Sequence, residues 1–177
     1  GNEEYKGAAR GTAYHRLMEC LDYMAVDSES QIHKQITALT EAKKMAYEEA
    51  QCIRIQDIMT FLHSEIGQRM KKAFEADQLY REQPFVLAQS MKNIEKDWNG
   101  EETVLVQGII DAYFIEDEEI VLVDYKTDRV RKGEEQHLID LYHTQLEDYA
   151  QALERMLQKK VKETYIYSFA LGKMIPV

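Results

Sequence analysis

The sequence is poor in cysteine and has no long apolar run, and each shortage excludes a class of protein. Its two cysteines, Cys20 and Cys52, lack the C-x-x-C spacing of zinc and iron–sulfur sites, and so few cysteines indicate a reduced, cytoplasmic setting. The longest apolar runs fall far short of the roughly 20 residues that cross a bilayer, and no signal-peptide pattern is present. A membrane partner is therefore not expected.

Positive charge is also scarce. The chain has 22 Lys and Arg against 32 Asp and Glu, a formal net charge of −10. Such a balance argues against a protein that holds nucleic acid by charge alone. A function on DNA would therefore need a bound metal ion or a larger assembly to overcome the repulsion.

With 177 residues, the chain is long enough for one domain with a real core. Apolar periodicity predicts a helical part, residues 1–78, with helices over residues 8–23, 29–50 and 56–76. The pattern then predicts a mixed α/β part, residues 79–177, with strands over 79–90, 103–115, 119–125 and 162–171 and a helix over 137–157. Pro84 indicates an edge or bulged strand, and Asn99-Gly100 is a typical hairpin signal.

The stretch Val104 to Asp128, VLVQGIIDAYFIEDEEIVLVDYKTD, has the pattern of a buried hairpin but carries charges where core residues belong. Strand alternation places Asp124 and Lys126 on one face, with Tyr125 opposite. Asp111, folded back across the turn, can approach Asp124. Two adjacent carboxylates repel unless a cation lies between them, and hard oxygen ligands favour Mg²⁺ or Mn²⁺. Lys126 could then orient a water and stabilise charge on a phosphate.

The spacing by itself leaves an ordinary alternative open. Acidic residues at strand ends are usually solvated, and a D-x-K pair recurs by chance. The basic run Arg129, Arg131 and Lys132 likewise fits a solvated loop as well as a phosphate contact.

The sequence motifs around these charged residues resemble those of a known family. G-I-I-D followed by V-D-Y-K-T-D is similar to the core of the PD-(D/E)xK nucleases, in their RecB-like branch, and most of all to the C-terminal nuclease domain of AddA-type helicase–nucleases. GTAYHRLME resembles the family's G-x-x-x-H helix, REQPF its Glu-containing strand and QLEDYAQAL its Q-x-x-x-Y helix. These motifs occur in the family's order across nearly the whole chain. The resemblance implies a restriction-endonuclease-like α/β core, with a small mixed sheet flanked by helices and an N-terminal helical region.

The resemblance also implies site residues. The expected ligands of Mg²⁺, with Mn²⁺ as an alternative, are His15, Asp111, Asp124 and the carbonyl of Tyr125. The expected catalytic residues are Asp111, Asp124, Lys126, Gln145 and Tyr149. Glu82 is expected to support the site, either by binding metal or by holding Lys126.

By the same resemblance, the chain is expected to be a DNA exonuclease domain that processes double-strand ends for recombinational repair and cuts unwound single strands. Its expected partners are DNA, mainly single-stranded, a B-type partner protein in a heterodimer, and the helicase domains of its own full-length chain. The chain has no G-x-x-x-x-G-K-[ST] motif, so we expect it to be a C-terminal domain excised from the helicase motor, without the iron–sulfur cluster of the B-type partner. The alternatives are a non-catalytic DNA- or partner-binding domain of the same fold, or a stand-alone RecB-like exonuclease. The latter is disfavoured by the missing C-terminal cysteine cluster.

Overall fold

The first part of the chain is helical, as the periodicity predicted. The computed structural model, which describes residues 1–177, has five helices before the first strand: α1 (Asn2–Cys20), α2 (Glu29–Glu41), α3 (Tyr47–Ala50), α4 (Ile55–His63) and α5 (Glu65–Glu75). None of the helices in the protein is both long and apolar enough to span a membrane.

The prediction of two long helices over residues 29–50 and 56–76 was wrong, because each is interrupted. The first ends near Lys43, whose left-handed backbone (φ 59°) cannot continue a helix. The second breaks at Ser64, whose hydroxyl accepts a hydrogen bond from the Gly67 N–H at 3.1 Å and so begins α5. A Cβ on Gly67 would lie 2.0 Å from the carbonyl oxygen of Phe61, so this tight helix junction requires glycine.

The second part of the chain forms a five-stranded mixed sheet with the strands in sequence order. The strands are β1 (Leu79–Ser90), β2 (Thr103–Glu116), β3 (Glu119–Lys126), β4 (Val161–Ser168) and β5 (Lys173–Pro176). Neighbours are antiparallel except β3 and β4, which are parallel and joined by helix α7 (Glu135–Leu157). A parallel pair needs such a crossover, since a tight turn cannot connect it.

The sheet agrees with the sequence prediction in one detail and differs from it in two. β1 is an edge strand, as Pro84 predicted. Asn99-Gly100 does not form a tight hairpin, because it lies in a long β1–β2 connection that contains the short helix α6 (Met91–Ile94). The last predicted strand is divided into β4 and the four-residue β5, with a turn between them at Gly172 (φ 61°).

The sheet separates two apolar cores. One face, including Phe114, Val123 and Tyr125, packs against α1 to α5. The other face, including Ile110 and Leu122, packs against α7. The fold therefore places α1 and α7 on opposite sides of the strands that carry the unexpected charges.

Candidate active site

The β2–β3 hairpin brings the two central aspartates together. Its two-residue loop, Asp117 and Glu118, has positive φ at both positions (52° and 66°), as in the primed turns that match the twist of a hairpin. This loop sets the register, in which Ala112 lies opposite Val123, the last pair of the ladder. Asp111 and Asp124 occupy the next position, where their side chains converge instead of continuing the pairing.

The side chain of Asp111 accepts a hydrogen bond from the backbone of β3 at this point. Its Oδ2 accepts the N–H of Tyr125 at 2.9 Å, so the carboxylate holds the strand that carries Asp124. Asp124 is only 3% exposed. The hairpin thus carries one buried carboxylate and a second that is fixed by the backbone beside it.

Lys126 lies on the same face as Asp124, as the strand alternation predicted. Its Nζ is 2.9 Å from Asp124 Oδ2 and donates a hydrogen bond to Gln145 Oε1 at 3.3 Å. Tyr125 points the other way, into the core under the helices. Gln145, predicted as a site residue, therefore contacts the lysine directly.

Tyr142 also contacts Lys126 and was not predicted from the sequence. The Lys126 ammonium lies 3.8 Å from the centroid of the Tyr142 ring, a cation–π contact. The Tyr142 hydroxyl donates to Asp128 Oδ2 at 2.6 Å, which fixes the ring over the lysine. A signal was available, because Tyr142 precedes Gln145 by three positions and Tyr149 by seven, on one helix face.

Tyr149 is mainly a packing residue in this structure. It is 9% exposed, and its ring meets that of Phe85 edge-on, with centroids 5.1 Å apart. A Cβ on Gly108 would lie 2.8 Å from the Phe85 ring, so glycine lets these rings lie close to β2. Burial, together with the charge of Asp124, raises the pKa of Tyr149 to about 12. Its contact with DNA stays a prediction.

His15 reaches the site from α1. Its Nε2 lies 3.1 Å from Asp111 Oδ2, and its Nδ1 lies 2.9 Å from the carbonyl oxygen of Gly11. Burial disfavours the charged imidazole, but the hydrogen bond to Asp111 and its charge outweigh this and raise the pKa of His15 to about 9. At neutral pH the metal-free protein therefore contains an imidazolium–carboxylate pair, and metal binding by His15 would require loss of the Nε2 proton.

Glu82 lies in β1 opposite Asp111, between the pairs Arg81–Ala112 and Gln83–Ile110. Its backbone has φ 51°, an uncommon conformation for a non-glycine residue in a strand. Burial and then the charges of Asp111 and Glu19 raise the pKa of Glu82. Its side chain forms no hydrogen bond or ion pair with Lys126, so the structure places it beside the carboxylates rather than on the lysine.

The electrostatics of the site favour a cation. Burial and then the negative charge of Asp111 raise the pKa of Asp124, while Lys126 opposes this shift. The buried Asp124 Oδ2 has no well-directed hydrogen bond, even though the Lys126 ammonium is near. The two carboxylates offer hard oxygen donors, which suit Mg²⁺ or Mn²⁺. The structure, however, has no group of three His, Cys, Asp or Glu side chains already arranged to hold a metal.

Comparisons with known proteins show the family of the chain. The sequence pattern of the PD-(D/E)XK nuclease superfamily matches residues 1–173. The chain is 41% identical over 171 residues to the A-type subunit of the ATP-dependent helicase/nuclease of Alkaliphilus metalliredigens, covering 96% of this chain and 14% of that protein. It is 36% identical over 180 residues to the corresponding A-type subunit of Clostridium perfringens strain 13, covering 99% of this chain and 14% of the relative.

The chain thus spans about one seventh of the length of these relatives. Asp111, Asp124, Lys126 and strands β1 to β4 lie within residues 1–173, which the family pattern matches. The chain belongs to the PD-(D/E)XK nuclease superfamily.

Proposed function

We propose that this chain is a Mg²⁺-dependent DNA nuclease domain that hydrolyses phosphodiester bonds in single strands unwound by a helicase. The observation that carries the proposal is the position of the Lys126 ammonium, 2.9 Å from the buried carboxylate of Asp124, whose neighbour is the carboxylate of Asp111. A positive group held beside two carboxylates is suited to bind a phosphate that a cation brings to them.

Asp111, Asp124, His15 and the carbonyl of Tyr125 would hold the cation, with Mn²⁺ as the alternative to Mg²⁺. A bound divalent ion supplies Lewis acidity toward a phosphate oxygen. Lys126 can hydrogen-bond an attacking water or a phosphate oxygen and stabilise the negative charge that develops there. Gln145 and the Tyr142 ring hold its ammonium at the site.

The names of the relatives support a setting for this chemistry. Those proteins are components of ATP-dependent helicase/nucleases, and this chain corresponds to about one seventh of each. We propose that the chain is likewise part of a helicase–nuclease, acts with a B-type partner on DNA ends in recombinational repair and works in the cytoplasm. The helicase would deliver single strands to the site, which compensates for the net charge of −10.

Cleavage of labelled single-stranded DNA by the 177-residue chain tests the proposal. We expect cleavage with Mg²⁺, none with excess EDTA, and none with Asp111→Ala or Asp124→Ala. Lys126→Ala should also lose turnover, and its control is Lys34→Ala, since Lys34 is an exposed lysine on α2. Full activity in either aspartate variant would show that the carboxylates do not form the active site.

A further inference from the structure

A cleft of about 960 Å³ lies beside the candidate active site and has no part in the proposed chemistry. It is formed by the first half of α1, by α3 and by the segment that follows β3. Its lining is partly apolar and includes Tyr5, whose ring is exposed, together with Cys52 and Val130.

The charge of the cleft is the reverse of that of the whole chain. Four cations, Lys6, Arg10, Arg54 and Arg129, line it against two carboxylates, Glu48 and Glu49. These cations come from three separate parts of the sequence, so only the fold collects them. The cleft is thus a basic region on an acidic protein.

Three of the four cations are free to bind a ligand. Arg10 is occupied, since it donates to the carbonyl oxygen of Thr127 at 3.1 Å and to Asp57 at 3.4 Å. Lys6, Arg54 and Arg129 are exposed and take part in none of the ion pairs of the protein. No carboxylate therefore lies within 4.0 Å of their charged groups.

The cleft adjoins the segment that follows Lys126. Arg10, in the lining of the cleft, donates to the carbonyl oxygen of Thr127, the residue after Lys126, and Arg129 lines the cleft two positions further on. A strand with its scissile phosphate at Lys126 that follows this segment would therefore reach the cleft.

The lining favours an unpaired strand. Exposed aromatic and apolar side chains contact base faces, which are accessible when the strand is not in a duplex, while cations contact its phosphates. A neighbouring recess that shares Arg129 also carries Glu3, Glu4 and Asp128, which would repel a polyanion. The cleft is therefore a better path for the DNA strand than this recess.

Building on the proposed nuclease function, we propose that this cleft is a binding site for the part of a DNA single strand that lies next to the scissile phosphate, with Lys6, Arg54 and Arg129 contacting its phosphates and Tyr5 its bases. Three phosphate contacts on a single strand predict a slope near −2 in a plot of log affinity against log salt concentration.

The affinity of oligothymidylate for the full 177-residue chain, measured with Ca²⁺ in place of Mg²⁺ to prevent turnover, tests this site. Arg54→Glu and Arg129→Glu should each weaken binding by roughly fivefold or more and reduce the salt slope by about 0.7. Lys34→Glu is the matched control, because it makes the same charge change on an exposed helix outside the cleft, and should change affinity less than about twofold. Arg54→Ala, a milder change, should weaken binding in the same direction.

Cysteine alkylation gives a second test of the site that needs no amino-acid substitution. Cys52 lines the cleft, whereas Cys20 packs against the helical core. Oligothymidylate should slow maleimide modification of Cys52, followed by peptide mass spectrometry, and leave that of Cys20 unchanged.

The outcomes separate this site from the proposed catalysis. If the wild type cleaves DNA but the cleft variants bind like Lys34→Glu and Cys52 is not protected, the cleft assignment is wrong and the nuclease proposal stands. If the cleft variants lose affinity while the wild type does not cleave, the cleft assignment stands and the nuclease proposal fails. Absence of any binding by the wild type overturns the cleft assignment.

Discussion

Asp124→Asn should stabilise the metal-free protein at neutral pH while abolishing cleavage. Asp124 is buried beside a second carboxylate, so its negative charge favours cation binding at the expense of folding stability. Asparagine has nearly the same shape and no charge. The substitution should therefore remove the repulsion without leaving a cavity.

The magnitude follows from the pKa. Burial and Asp111 raise the pKa of Asp124 to about 7, against about 3.9 in an unfolded chain. A raised pKa in the folded state stabilises it only while the proton is held, so this stability is lost as pH rises from about 4 to about 7. Three pKa units correspond to at most about 4 kcal/mol. The nearby Lys126 and local relaxation reduce this, so the free-energy gap between variant and wild type should widen by about 1–2 kcal/mol from pH 5 to pH 8.

Urea denaturation in EDTA at several pH values measures this gap. Asp117→Asn is the control, because the Asp117 side chain is 90% exposed. The free energy of unfolding of this variant should differ from that of the wild type by the same amount over this pH range. Adding Mg²⁺ at pH 8 should stabilise the wild type and have less effect on Asp124→Asn. A variant that is less stable than wild type by the same amount at every pH would refute the reasoning, since the ion pair with Lys126 would then outweigh the repulsion.

Three further predictions concern residues around the site and at the far end of the hairpin. Tyr142→Leu should lower kcat about tenfold, because Lys126 loses its cation–π contact. Tyr142→Phe keeps the ring, and its kcat should stay within about twofold of the wild-type value. Equal losses of kcat in the two variants would show that the effect comes from the hydroxyl. Lys126→Ala should lose turnover by about 100-fold or more and keep its metal affinity by calorimetry, and loss of that affinity would give the lysine a structural function. Hydrogen bonds from Arg69, aided by Lys162, lower the pKa of Glu116 to about 2, so Arg69→Met should cost about 1–2 kcal/mol at pH 7 after allowance for solvent screening. This cost should shrink as pH falls from about 4.5 toward 2, because Glu116 becomes protonated over this range, first in the variant and then in the wild type. A cost that is constant over this range in acid denaturation would contradict the ion-pair explanation.

Local sequence patterns determined most of the elements. Apolar periodicity located α1, α7 and four of the five strands, since burial of one face leaves its period in the sequence whatever lies opposite. The helix breaks at Lys43 and Ser64 were missed because they depend on single backbone conformations and on one side-chain hydrogen bond. β5 was missed because four residues are too few to show a period.

Some residues of the candidate site were likewise predictable from local sequence patterns, and others were not. Asp111, Asp124 and Lys126 were identifiable because charges interrupt apolar strands, and alternation alone placed Asp124 and Lys126 on one face. His15, Gln145 and Tyr149 were predicted only through resemblance to a family; the structure brings His15 to Asp111 and Gln145 to Lys126, and a catalytic role of Tyr149 stays a prediction. Neither kind of argument found the Tyr142 ring over Lys126, since a cation–π contact depends on how α7 lies on the sheet.

Only the tertiary structure decided the distribution of charge around the site. By composition the chain is acidic, and this is a sum over residues that needs no fold. The basic cleft exists because α1, the segment from α3 to Arg54 and the segment after β3 meet in space, which brings together Lys6, Arg54 and Arg129. Electrostatic interactions depend on distance and burial rather than on separation along the chain. The sequence therefore determined the net charge and the charged hairpin, and the packing of distant segments determined where a polyanion can be held.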